Sequence, residues 1–86
     1  MYTVYVLLSD TGKRYTGHTE HLDQRLVEHN SGRCKSTKVD TGWRVIYTEL
    51  YKTRGEAMKR EKWLKSGVGR RFLDGQIAGW SPPTAE

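Results

Sequence analysis

Cysteine is almost missing from this 86-residue chain: Cys34 stands alone, so no intrachain disulfide forms, and that usage fits a reducing compartment. Long apolar runs are missing too. No stretch approaches the roughly 18 to 20 apolar residues of a membrane-spanning helix, and apolar residues make up 35% of the chain at a mean hydropathy of −0.81. The opening MYTVYVLLSD has neither the basic start nor the small-residue cleavage site of a secretory signal, so it is read as structure and the expected location is the cytoplasm. Both prolines fall in the terminal SPPTAE, read as a tail over residues 81–86 behind one domain over residues 1–80. A chain of this length buries only a modest core.

Acidic residues are the last scarcity: ten Asp and Glu face fifteen Lys and Arg, a formal net charge of +5. An excess of that size on so small a domain suits a polyanionic partner, because each phosphate contact releases a counterion. Charge alone describes an ordinary basic protein equally well, so the placement of the charges has to decide.

What is present reads as alternating elements. Residues 2–8, YTVYVLL, have strand composition; SDTGK is turn chemistry, and RYTG resumes an extended run, which together predict an antiparallel hairpin. Thr19 is the expected N-cap of a helix over about residues 20–31, with Gly32 as its stop. Residues 33–42 lack periodicity and read as a loop carrying Arg33, Lys35 and Lys38. WRVIYTELY, residues 43–51, is a third strand, and Thr53 with Glu56 forms a capping box that opens a second helix running to about Lys65. KSGVGRRFLDGQIAGW then gives a glycine-rich basic turn and a short third helix. The order predicts a small α/β (α+β) domain, a mainly antiparallel three-stranded sheet flanked by helices.

Two helices carry charge where apolar residues belong. At about 100° per residue, Leu22, Arg25, Leu26 and His29 share one face of the first helix. Ala57, Glu61 and Leu64 share one face of the second. Burying an unpaired guanidinium or carboxylate costs several kcal/mol. Either Glu61 forms an internal ion pair, with Arg25 or with Lys65 one turn on, or the two charges line a cleft where an acid holds a metal ion and an arginine a phosphate. Tyr5 and Tyr15, on the two arms of the hairpin, reach the same face if the register permits. His18, His21, His29 and Cys34 match no usual zinc spacing. Lys65, Arg70 and Arg71 surround two glycines, which suits either phosphate contact or a helix stop with solvated arginines; GxxxxGK[ST] is absent.

Taken together, Thr3-Val4-Tyr5, Tyr15-Thr16-Gly17, an arginine on the following helix at Arg25, and EAMKRE ending at Glu61 resemble the GIY-YIG nuclease superfamily over about residues 2–77. RLVEHNSG and KREKWLKSGVGRR resemble its small stand-alone bacterial branch, related to the N-terminal nuclease domain of the bacterial excinuclease. Thr3, Val4 and Thr16 depart from the triplets at strand-filling positions; His18 stands where excinuclease-like members have lysine, and His29 where they have a further tyrosine. The resemblance implies a metal-dependent endonuclease cutting DNA one strand at a time in a repair or processing context, or a weakly cleaving nucleic-acid-binding module that needs a partner. It implies Mg²⁺ or Mn²⁺ on Glu61, charge neutralisation by Arg25, and water activation by Tyr5 or Tyr15 with help from His18 or His29. Gly17 belongs to the second triplet, and Arg33, Lys35, Lys38, Lys65, Arg70 and Arg71 are the expected nucleic-acid contacts.

Overall fold

The computed structural model describes residues 1–31 and 42–76. The first hairpin forms as its composition predicts. Strand β1 (Tyr2–Leu8) turns through residues 9–13 into β2 (Arg14–Thr19). The Ser9 carbonyl accepts from Gly12 N–H at 3.1 Å, and Gly12 takes a φ of +90°, a value glycine adopts without a side-chain clash. Helix α1 (Leu22–Asn30) follows, then β3 (Arg44–Tyr51), α2 (Arg54–Leu64) and α3 (Gly67–Gln76). The sheet order is β2-β1-β3 with both pairings antiparallel, so β1 is central.

The pleat of β1 sorts the core into two layers. Val4 and Val6 pack with Ala57, Leu64 and Leu73 under α2 and α3, whereas Tyr5 and Leu7 pack with Trp43, Leu22 and Leu26 under α1. A bulge between Val6 and Leu7 in the β1–β3 ladder turns Val45 toward α1 while Tyr47, Glu49 and Tyr51 stay opposite Val6, Val4 and Tyr2. Asn30 ties α1 to β3: its Oδ1 accepts from Trp43 N–H at 2.7 Å and its Nδ2 donates to the Trp43 carbonyl at 3.0 Å.

Two local expectations are corrected. Thr19 is not a helix cap; the β1–β2 ladder runs on through His18 opposite Val4 and Thr19 opposite Thr3, and the Thr19 hydroxyl accepts from His21 N–H just before α1 begins. The glycine-rich basic turn is shorter than expected: only Lys65 and Ser66 separate α2 from α3, and Gly67 and Gly69 lie inside α3. A Cβ at Gly69 would stand 2.1 Å from the Trp63 carbonyl oxygen, so this glycine serves the close crossing of α2 and α3 and not the approach of a phosphate. The capping box of α2 is as expected, with both Thr53–Glu56 bonds formed.

Candidate active site

Because directly paired strand residues share a face, Tyr5 opposite Gly17 and Leu7 opposite Tyr15 point both phenols toward α1. Gly17 makes room for them: a Cβ there would lie 2.8 Å from Tyr5 Oη and 3.0 Å from the Tyr15 ring. His29, wholly buried on the inner face of α1, shares a 3.0 Å hydrogen bond through Nε2 with Tyr5 Oη, and its ring lies 4.7 Å from that of Tyr15. Burial lowers the His29 pKa and the nearby Arg25 charge lowers it further, against a smaller opposing effect of Glu28. His29 is a neutral imidazole at neutral pH. Arg25, on the same helix face, stops at the rim with 40% of its side chain exposed and donates from Nη1 to Glu28 Oε1 at 2.9 Å.

His18 follows Gly17 and so faces the other way, toward α2. There its Nδ1 lies 2.5 Å from Glu61 Oε1, and Lys65 Nζ donates to Glu61 Oε2 at 2.6 Å. Of the two ion pairs open to Glu61, the structure forms the one with Lys65. Burial on its own would raise the Glu61 carboxyl, but the bonds and charges of His18 and Lys65 outweigh it and hold the pKa below the ordinary range. Glu61 is an anion whose side chain keeps 18% of its surface exposed.

Three clefts follow the outer edge of β2. The first, about 490 Å³, lies between α1 and the start of α2, with His18, Arg25, Glu28 and Arg54 in its walls. The second, about 270 Å³, holds His18, Glu61 and Lys65. The third, about 280 Å³, holds Tyr15, Arg14, Lys65 and Arg70. His18 is common to the first two and Lys65 to the last two, so the clefts adjoin in a row with Glu61 in the middle.

The structure therefore does not gather the expected residues into one pocket. Arg25 and Glu61 occupy neighbouring clefts joined at His18; Tyr5 and His29 are buried on the opposite face of the sheet, with the half-buried Tyr15 packed beside them. The cause is pleat parity, which sends Tyr15 and Gly17 to one side and His18 to the other. Arg71 is exposed on α3 and borders none of these clefts. Arg33, Lys35, Lys38 and Cys34 lie outside the described residues. Sequence reasoning passed over Arg54, although a basic residue in the first turn of a helix, against the dipole, is itself a signal.

Among the described residues no three His, Cys, Asp or Glu side chains are grouped to hold a metal ion. Glu61 alone fits a different kind of site. It is a charged hard oxygen donor on an open cleft whose Lys65 partner is half exposed and exchangeable, which suits a cation that keeps several waters and takes few carboxylates. No helix among the described residues is long and apolar enough to cross a membrane.

A family model described as the GIY-YIG catalytic domain matches residues 1–72. A UPF0213 protein of Staphylococcus aureus is 38% identical over 71 residues, covering 81% of this chain and 87% of that protein. A UPF0213 protein of Staphylococcus epidermidis is 36% identical over the same length and the same shares. The solution NMR structure of a UPF0213 protein from Bacillus halodurans superposes with a TM-score of 0.54 at 30% identity, over 99% of this chain and 92% of that one.

Proposed function

The chain belongs to the GIY-YIG catalytic-domain family, and on that premise we propose that it is a divalent-metal-dependent endonuclease, hydrolysing phosphodiester bonds in DNA one strand at a time in a repair or processing setting. One observation carries this reading: the His18–Glu61–Lys65 hydrogen-bond chain opens on two adjoining clefts, with Arg25 in the wall of one. Glu61 would hold Mg²⁺ or Mn²⁺, which when bound supplies charge neutralisation at the phosphate and at the leaving oxygen. The Arg25 guanidinium offers N–H donors to the non-bridging oxygens as their charge builds. His18 donates from Nδ1 to the Glu61 carboxylate, which orients the ring and turns Nε2 to the attacking water as the group that exchanges its proton. Tyr5 is 1% exposed and bonded to His29, with the Tyr15 ring packed beside both, so the two phenols brace the sheet under the site and leave proton transfer to His18. Specificity comes from structure in the substrate or from a protein partner.

A second reading, a nucleic-acid-binding module that cleaves little alone, is favoured by the fact that both Glu61 oxygens already have partners. One experiment separates the two. Purified protein is incubated with labelled flap, nicked, single-stranded and duplex DNA in Mg²⁺, Mn²⁺ or EDTA, with Glu61→Gln and Arg25→Ala beside it. Metal-dependent cutting lost in both variants is the expected result. Binding without cutting on every substrate selects the second reading, and undiminished cutting by Glu61→Gln overturns the assignment of this site.

A further inference from the structure

Two arginines along the row of clefts are not accounted for by the fold. Arg54 is exposed in the wall of the first cleft, and Arg70 is exposed in the third; neither forms an ion pair or a side-chain hydrogen bond with any described residue. Other arginines of the described core do have carboxylate partners: Arg14 with Asp74 at 2.9 Å, Arg25 with Glu28 at 2.9 Å and Arg60 with Glu49 at 2.9 Å. Arg54 is also poorly placed for stability. As the first residue of α2 it sits at the positive end of the helix dipole, where an acidic side chain is favoured. Glu20, in the same cleft, does not pair with it.

The spacing is informative. The first cleft reaches β2 at His18 and Thr19, and the third reaches it at Arg14, Tyr15 and Thr16. Thr19 and Arg14 are the two ends of one strand, roughly 17 Å apart at about 3.3 Å per residue. Glu61 and Lys65 lie between. The result is a cationic track along one sheet edge, with the anionic Glu61 at its midpoint and an unpaired arginine at each end. Such a track follows an extended sugar–phosphate backbone.

We propose that a single-stranded segment of nucleic acid lies along the β2 edge, with one backbone phosphate held by Arg54 and another by Arg70, on opposite sides of the bond that faces Glu61. The proposal rests on the nuclease reading for the role of Glu61, but the track is a binding statement and is tested without turnover.

The test is fluorescence anisotropy of a labelled single-stranded oligodeoxynucleotide in EDTA, titrated at several salt concentrations. Arg54→Ala and Arg70→Ala each weaken binding about fivefold to tenfold, the size of one charge-assisted contact on an exposed surface, and each lowers the salt slope by about 0.7, the value for one phosphate on a single strand. Arg54→Lys keeps most of the affinity, and Glu20→Gln tightens it. Arg44→Ala, on the far strand of the sheet, serves as the charge-matched control and changes neither quantity comparably. Thermal melts exclude misfolding, since removing Arg54 relieves the helix dipole and leaves Tm equal or higher. Arg54→Ala that behaves like Arg44→Ala overturns the track, and so does duplex DNA that binds more tightly than single strands with no dependence on Arg54 or Arg70. A wild type that binds as expected but cuts nothing in Mg²⁺ sinks the nuclease reading and leaves the track standing. Cutting that is indifferent to Arg54 and Arg70 does the reverse.

Discussion

Glu49 and Glu61 are two inward-facing carboxylates on the same side of the sheet, and they are held in opposite ways. Glu49 accepts from the hydroxyls of Tyr47 and Tyr51 and from Arg60 through Nε at 2.9 Å and Nη2 at 3.1 Å. The Arg60 guanidinium is itself capped by the rings of Trp63, 4.4 Å away, and Phe72, 4.9 Å away. All three partners are half-buried, and the bond to Glu49 helps push the Tyr47 pKa up to about 12, with burial the larger cause. Glu61, one residue beyond Arg60, faces a cleft and takes its bonds from an edge-strand histidine and a half-exposed lysine. Partners braced by other side chains make a strut; partners on a cleft make a site. The contrast is one of partners, since the two side chains are similarly exposed, at 15% and 18%, and for both carboxyls burial on its own raises the pKa while hydrogen bonds bring it below the usual range.

The largest expected effect is on chemistry. Glu61→Gln lowers single-turnover cleavage by about 10³-fold, about 4 kcal/mol of barrier. The same variant shifts unfolding by no more than about 1 kcal/mol, because its ion pairs are partly solvated. Urea titration beside the cleavage assay checks both halves, and a Glu61→Gln protein that unfolds readily would make Glu61 a second strut.

Glu49→Gln is the mirror experiment. It leaves Arg60 half-satisfied, and costs about 2 to 3 kcal/mol, less than the roughly 3 to 5 kcal/mol for breaking a fully buried pair, since the two side chains keep 28% and 15% of their surface exposed. Cleavage by the folded fraction stays near wild type. The pH dependence has a definite sign: a carboxyl held below its unfolded value of 4.5 stabilises the fold above that pH, and the stabilisation is lost as the pH falls through the lowered native value. Glu49→Gln therefore flattens acid unfolding below pH 4.5, measured as the urea midpoint against pH.

Lys65→Ala is smaller and bears on exchange. It removes the competitor for Glu61 Oε2, so the Mn²⁺ concentration for half-maximal binding falls a few-fold, while single-strand affinity weakens by about one phosphate contact. Titration of both quantities on one preparation checks this, and metal binding that weakens instead would make the lysine a support and not a competitor.

Much of this contrast was legible in the chain, for reasons that differ by residue. The capping box at Thr53 and Glu56 and the Glu61–Lys65 pair are encoded within one helical turn, so spacing suffices to find them. The strands announce themselves through β-branched and aromatic composition. What local pattern did not reach was set by neighbours distant in sequence. Thr19 has cap chemistry, but pairing with Thr3 extends β2 by two residues, and that extension fixes which face His18 takes. Gly67 and Gly69 have turn chemistry but lie in α3, where Gly69 lets the helix approach the Trp63 carbonyl. The Glu49 strut joins a strand to a helix eleven residues on; its trace in the sequence was the alternation Tyr47-Glu49-Tyr51, which places three polar tips on one face.

His29 extends the comparison to the other side of the sheet and carries the smallest expected effect. It is a base whose native pKa lies below the unfolded value of 6.5, chiefly through burial, so between those two values the unfolded chain binds more protons than the folded one. Stability is complete above about pH 6.5 and declines as the pH falls toward the lowered native value, a window that lies above the acid range of Glu49 and Glu61. The urea midpoint of the wild type thus drops between pH 7.5 and 5.5 by less than Glu49→Gln costs at neutrality. His29→Gln, which keeps a polar partner for Tyr5 Oη but does not titrate, loses that slope even if its overall stability is lower. An unchanged slope in the variant would mean that His29 meets protons as readily in the fold as out of it. It would then be an open group like Glu61, on a face where the structure has it wholly buried.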